Sequence, residues 1–113
     1  MNRIQIINMF RTLGRVKLNK ITDKELRNAL IYDHLNMFRM VKENDDYILA
    51  LRQQFDPDAI KELNEAYEAY ANEEVTISLR KINREAFADV IASSDIEFTL
   101  SDLIVLEPLF ESE

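Results

Sequence analysis

Histidine is the side chain best suited to proton transfer near neutral pH, and this chain holds one, His34. It lies between Asp33 and Leu35, four residues after Leu30. Nucleophilic catalysis needs a serine, threonine or lysine activated beside such a base. Ser78, Ser93 and Ser94 are candidates, but none stands in the strand-to-helix elbow that presents a nucleophile. A metal site on a helix asks for carboxylate and histidine three or four residues apart, and Ile31 and Leu30 fill those places before His34. His34 therefore reads as a packing histidine. Carboxylates gather at Asp58, Glu62, Glu65 and Glu68 with the spacing of a solvated helix face. Asp56-Pro57-Asp58 lacks the glycine and the further oxygens of a calcium loop. Gly14 is the sole glycine, so no phosphate-cradling loop or dinucleotide turn can form. No cysteine is present, which excludes disulfides and thiolate metal sites. No catalytic, cofactor-binding or metal-ligating residue is assigned. No cofactor is expected, and the chain reads as a non-enzyme.

What remains is binding chemistry. Arg3, Arg11, Arg15, Lys17, Lys20, Lys24 and Arg27 crowd the first 27 residues, densest in Arg15-Val16-Lys17-Leu18-Asn19-Lys20. Residues 1–52 carry ten Lys/Arg against six Asp/Glu, a balance of +4; residues 53–113 carry four against fifteen, a balance of -11. The two together give the net charge of -7. Phosphate would be repelled by the whole, so nucleic acid is not the expected partner. The two halves either neutralise one another within the fold or set up a basic-to-acidic contact with a partner or a second copy. Tyr67 and Tyr70, three apart among alanines, read as core, with an exposed contact ridge as the alternative.

These residues need elements to position them. Asn2 caps a first helix that buries Ile4, Ile7, Phe10 and Leu13, and Gly14 closes it in the left-handed conformation. Arg15–Lys20 reads as an extended connector or edge strand. Thr22-Asp23-Lys24-Glu25 is a capping box with Thr22 as cap, and Ile21 and Leu26 form its staple. The helix that follows carries Leu26, Leu30, Met37 and Val41 on one stripe, widened by Ala29, Leu35, Phe38 and Met40. Asn44-Asp45-Asp46 reads either as a turn that ends it near Glu43 or, the favoured reading, as part of one long helix to Gln54, kinked or frayed near Asn44. Asp56 then caps a third helix with Pro57 in its first position, carrying Ile60, Leu63, Tyr67 and Tyr70. At Glu73 the period changes from helical to two: Val75, Ile77 and Leu79 alternate with Thr76, Ser78 and Arg80, as in a half-buried strand. Asn83 caps a short helix with Phe87, Val90 and Ile91. Ser93-Ser94-Asp95 reads as a turn and Ile96-Glu97-Phe98 as a second short strand. Thr99 or Ser101 starts a last helical turn through Leu106, ended by Pro108.

The expected fold is mainly α with a minor α+β part: a helical hairpin or three-helix core with a small two-strand element near the C-terminus. Residues 1–113 form a single domain, a size at which about two-thirds of the unfolded surface can be buried. The segment from Met1 to Gln5 lacks the apolar core of a signal peptide, and no apolar run approaches the roughly 18 residues of a membrane span. The expected location is the cytoplasm, with no membrane partner.

The stretch Glu74-Val75-Thr76-Ile77-Ser78-Leu79-Arg80-Lys81-Ile82, followed by Leu106-Glu107-Pro108-Leu109-Phe110-Glu111, resembles a family of small phage- or prophage-encoded proteins of unknown function. The layout is similar as well: a short helix, a basic connector, a long helix with an acidic partner, an alternating segment and a closing LEPL. The resemblance implies a phage-derived accessory or assembly protein in a bacterial cytoplasm, and supplies no catalytic residues. The expected function is a non-enzymatic interaction or assembly-accessory protein acting through helical surfaces, with a protein partner or as a homodimer built on the second helix. The alternative is an acidic, nucleic-acid-mimicking inhibitor of a DNA-binding protein.

Overall fold

The structure, a computed structural model, describes residues 1–93 and 97–111. It is mainly helical. Helix α1 spans Arg3–Leu13. The Asn2 side chain accepts the Gln5 backbone N–H at 2.9 Å while the Gln5 side chain accepts the Asn2 N–H at 2.8 Å, a reciprocal box that occupies two of the orphan donors of a helix start. Ile6, Ile7, Met9 and Leu13 are buried, whereas Ile4 and Phe10, expected inside, are half-buried. Gly14 does end the helix, but at φ -62°, in the right-handed region. A methyl group there would meet the Phe10 carbonyl oxygen at 3.3 Å. The connector after it is not a strand; Leu18–Lys20 forms a turn of 3₁₀-helix.

Helix α2, Lys24–Gln54, is 31 residues long and passes through Asn44 without a break. Asn44-Asp45-Asp46 is helix, not turn, and Asn44 is buried. The cap is Asp23, whose carboxylate accepts the Leu26 N–H at 3.1 Å, one residue after the expected Thr22, which is exposed. Ile21 and Leu26 are both buried, but with Asp23 as the cap the staple positions fall on Thr22 and Arg27, so the expected box and staple are not kept in that register. At 1.5 Å per residue α2 is roughly 46 Å long, which accounts for a molecule measuring 50 × 27 × 24 Å.

Helix α3 begins later than expected, spanning Ile60–Ala71 with Ala59 as its cap position. Asp56-Pro57-Asp58-Ala59 is a turn closed by the Ala59 N–H to the Asp56 carbonyl at 2.9 Å. Pro57 takes the second turn position, which its fixed φ suits as well as it suits a helix start. Helix α4, Arg84–Ala92, is capped by Asn83, as expected. Helix α5, Leu100–Val105, starts from a box between Thr99 and Asp102. Pro108 lies in a closing 3₁₀ turn, Glu107–Leu109.

The two-strand element is not found: no strand occurs among the described residues. Residues 75–81 are extended, and Val75, Ile77 and Leu79 do turn inward while Thr76, Ser78 and Arg80 are exposed. They form a strap rather than a sheet. Single bridges hold its ends, Asn2 with Glu74 and Ile82 with Phe110. Between those ends Ser78 and the Arg80 N–H are met by side chains of α2. Ser94, Asp95 and Ile96, part of the expected turn and second strand, lie outside the described residues; Glu97 and Phe98 are in no strand.

One apolar core joins α1, the first half of α2, α4 and the closing segment, with Met9, Leu30, Met37, Phe87, Leu106 and Leu109 at its centre. The second half of α2 and α3 form an arm beyond it. There Tyr47 stacks on Tyr70 at 3.7 Å between ring centroids, and the Arg3 guanidinium covers Tyr70 at 3.9 Å.

Candidate functional site

The residues singled out for chemistry do not converge. His34 is half-buried and stacks on Phe10 at 4.5 Å; burial holds its pKa below the usual histidine range. Ser78 is bound by Tyr32 and Asn36, which stand two residues either side of His34 and so on the opposite helix face. Ser93 closes α4, its hydroxyl donating to the Val90 carbonyl at 3.2 Å, and Ser94 lies outside the described residues. Asp58, Glu62, Glu65 and Glu68 are all exposed. Among the described residues no group of three or more His, Asp or Glu side chains could hold a metal ion, and no helix is long and apolar enough to cross a membrane.

The strap is held by a polar triplet on α2. Tyr32 Oη and Ser78 Oγ are 2.9 Å apart, Asn36 donates to the Ser78 carbonyl at 2.9 Å, and the Arg80 backbone N–H donates to Asp33 Oδ1 at 2.6 Å. Asp33 is fully buried, and its second oxygen, Oδ2, has no hydrogen-bond partner among the described residues. Burial raises its pKa to about 6, against the opposing pull of the Arg80 N–H and guanidinium. This carboxylate positions the strap through the Arg80 N–H.

What the surface offers is uncovered apolar area: apart from Ile60 on α3, 62% exposed, the exposed large apolar side chains among the described residues gather in two places. The first is a groove of about 500 Å³ between α4 and α5. Phe87 forms its floor, wedged edge-on against Phe98 at 6.2 Å and tilted against Phe110 at 5.5 Å. Leu100 and Ile104 stand on its rim, 75% and 64% exposed. An ion pair between Arg84 and Glu107 ties α4 to the closing turn and depresses the Glu107 pKa. Arg15 anchors α5 from the end of α1, reaching Asp102 at 2.8 Å and lying over the Phe98 ring at 4.7 Å. The Asp102 carboxyl is held below its usual range, first by the Thr99 backbone N–H and then by Arg15. The groove walls are thus pinned at both ends while their apolar side chains stay open.

Compared with family models, curated proteins and solved structures, the chain matches none.

The second area lies on α2. Ile31, Leu35 and Phe38, at positions i, i+4 and i+7, are 37%, 56% and 50% exposed. They face away from Leu30, Asp33 and Met37, which are buried. The expectation that Leu35 and Phe38 widen the core stripe is therefore corrected. They form a second stripe on the far side of the helix, with Leu49 (58% exposed) continuing it. The groove had no sequence signal beyond Leu100, Leu103 and Ile104, which a six-residue helix cannot all bury.

Proposed function

We propose that the protein is a non-enzymatic interaction or assembly-accessory protein that takes an apolar helical segment of a protein partner into the groove between α4 and α5. The groove carries this reading: about 500 Å³, open, and lined by Phe87, Ile91, Leu100, Leu103 and Ile104. Open apolar patches of this kind on small proteins mark contact sites, and a groove between two helices suits the apolar face of a third. Charge selects among such segments. Residues 84–111 hold a single basic side chain, Arg84, against Glu85, Asp89, Asp95, Glu97, Asp102, Glu107 and Glu111, so a helix with basic flanks is favoured. The resemblance to phage-encoded proteins adds a setting, assembly in a bacterial cytoplasm, which a gene neighbourhood of virion components would support.

The test is a titration with a basic amphipathic helical peptide, followed by backbone amide NMR. Shifts should map to α4 and α5 and vanish in Ile104→Glu. Absence of binding, or shifts confined to other elements, refutes the reading. Binding that ignores Ile104→Glu and collapses with added salt favours the nucleic-acid-mimicking alternative.

A further inference from the structure

The solvent face of α2 is unusual for its chemistry rather than for its exposure alone. A helix that is apolar on two opposite faces is normally covered on both. The core covers one. The other carries, in one line along the helix, Lys24, Ile31, Leu35, Phe38, Lys42 and Leu49, with Asp45 and Asp46 beside its C-terminal part. α1 flanks this line on one side, through Phe10 against Phe38 at 6.1 Å, and the strap flanks α2 on the other through Tyr32 and Asn36. Neither covers it.

The order of these residues is self-complementary in one direction only. Two copies of α2 laid antiparallel about a two-fold axis at Leu35 bring Leu35 against Leu35 and Ile31 against Phe38. Asn28 then meets Lys42, and Lys24 meets Asp45 and Asp46. Laid parallel in register, the same helices would set Lys24 against Lys24 and Lys42 against Lys42, which costs stability. Lys24, Asp45 and Asp46 take part in no ion pair within the described chain, so all three remain for a contact of this kind. The stretch from Lys24 to Asp46 is about 33 Å long at 1.5 Å per residue, a seam of several helical turns. Isologous contact about a two-fold axis is the commonest arrangement of homo-oligomers.

We propose that two copies of this chain pair antiparallel through the solvent face of α2, with Leu35 on the axis, Ile31 packed on the partner's Phe38, and Lys24 facing the partner's Asp45 and Asp46. The dimer uses a different surface from the α4–α5 groove and does not depend on the groove's being a binding site. Apolar packing at the centre holds it, and the charged ends set its direction.

Light scattering with sedimentation at tens of micromolar measures it, with circular dichroism as a check that each variant keeps its helices. Wild type should be a dimer and Leu35→Glu a monomer. Lys24→Glu should weaken the dimer about tenfold, because two-fold symmetry counts each end pair twice and replaces attraction with repulsion. Combining Lys24→Glu with Asp45→Lys and Asp46→Lys restores opposite charges and should recover most of that loss. A wild-type monomer overturns the proposal, as does a dimer that survives Leu35→Glu. A dimer lost in Ile104→Glu but kept in Leu35→Glu would place the contact in the groove instead. Failure of the charge swap to restore affinity would overturn the antiparallel register.

Discussion

Asp33 offers the sharpest test of how the strap is held. Its side chain is fully buried, it accepts the Arg80 N–H through one oxygen, and the other oxygen has no partner among the described residues. Burial lifts its pKa from the ordinary aspartate value to about 6. A carboxyl whose folded pKa is raised binds more protons folded than unfolded between those two values, so its contribution to stability falls as pH rises through that window. Asn at position 33 keeps an acceptor for Arg80 and cannot ionise. The variant should therefore gain on wild type as pH rises. With a folded value near 6, the difference between variant and wild type should change by about 2 kcal/mol from about pH 4.5 to about pH 7.5. His34 titrates with the opposite sign, because burial lowers its pKa, but it is common to both proteins and cancels. Urea unfolding followed by circular dichroism at several pH values measures the difference directly. Parallel stability curves across the window would refute a buried, poorly solvated Asp33.

Two further perturbations address the local structure. Asp23→Ala should cost about 1 kcal/mol, the usual loss for a helix cap, while Thr22→Ala should change stability by a few tenths at most; equal effects in thermal melts would mean that both residues share the cap. Asn36→Ala removes a donor to the Ser78 carbonyl and should cost about 1 kcal/mol, together with faster hydrogen exchange in residues 75–81; unchanged exchange would show that the Asn36 bond does not restrain the strap.

Much of the helical frame was legible in the residues. The caps at Asn2 and Asn83 act where their types and spacing place them, and of the two candidates Thr99 and Ser101 it is Thr99 that caps the last helix, because a cap is a local hydrogen bond that needs nothing from the rest of the chain. Thr22 and Asp23 are both competent caps, and local sequence does not choose between neighbours; the structure selects Asp23. Pro57 misled for a similar reason, since it is as favourable within a turn as at a helix start. The misread strand has a deeper cause. Alternation of period two reports an extended backbone with one side buried. It is silent on what satisfies the backbone, and here Asp33 and Asn36 of α2 do part of what a neighbouring strand would have done. The uncovered face of α2 is not separable from the core stripe by residue type, because Leu35 and Phe38 are as apolar as the buried Leu30 and Met37. Their position, across the helix from Leu30 and Met37, shows that they belong to a separate face.

The strap also dictates an order of events during folding. Its hydrogen-bond partners, Tyr32, Asp33 and Asn36, are brought onto one side of the chain only after the middle of α2 has coiled. Its two end fastenings join Met1 to Val75 and Ile82 to Leu109, closing loops that are entropically costly before the intervening helices exist. The nucleus is therefore expected in α1 and the first half of α2, with the strap locking afterwards. Substitutions along the strap should accelerate unfolding while leaving the folding rate nearly unchanged, so this segment sets how long the native protein persists rather than how fast it is reached.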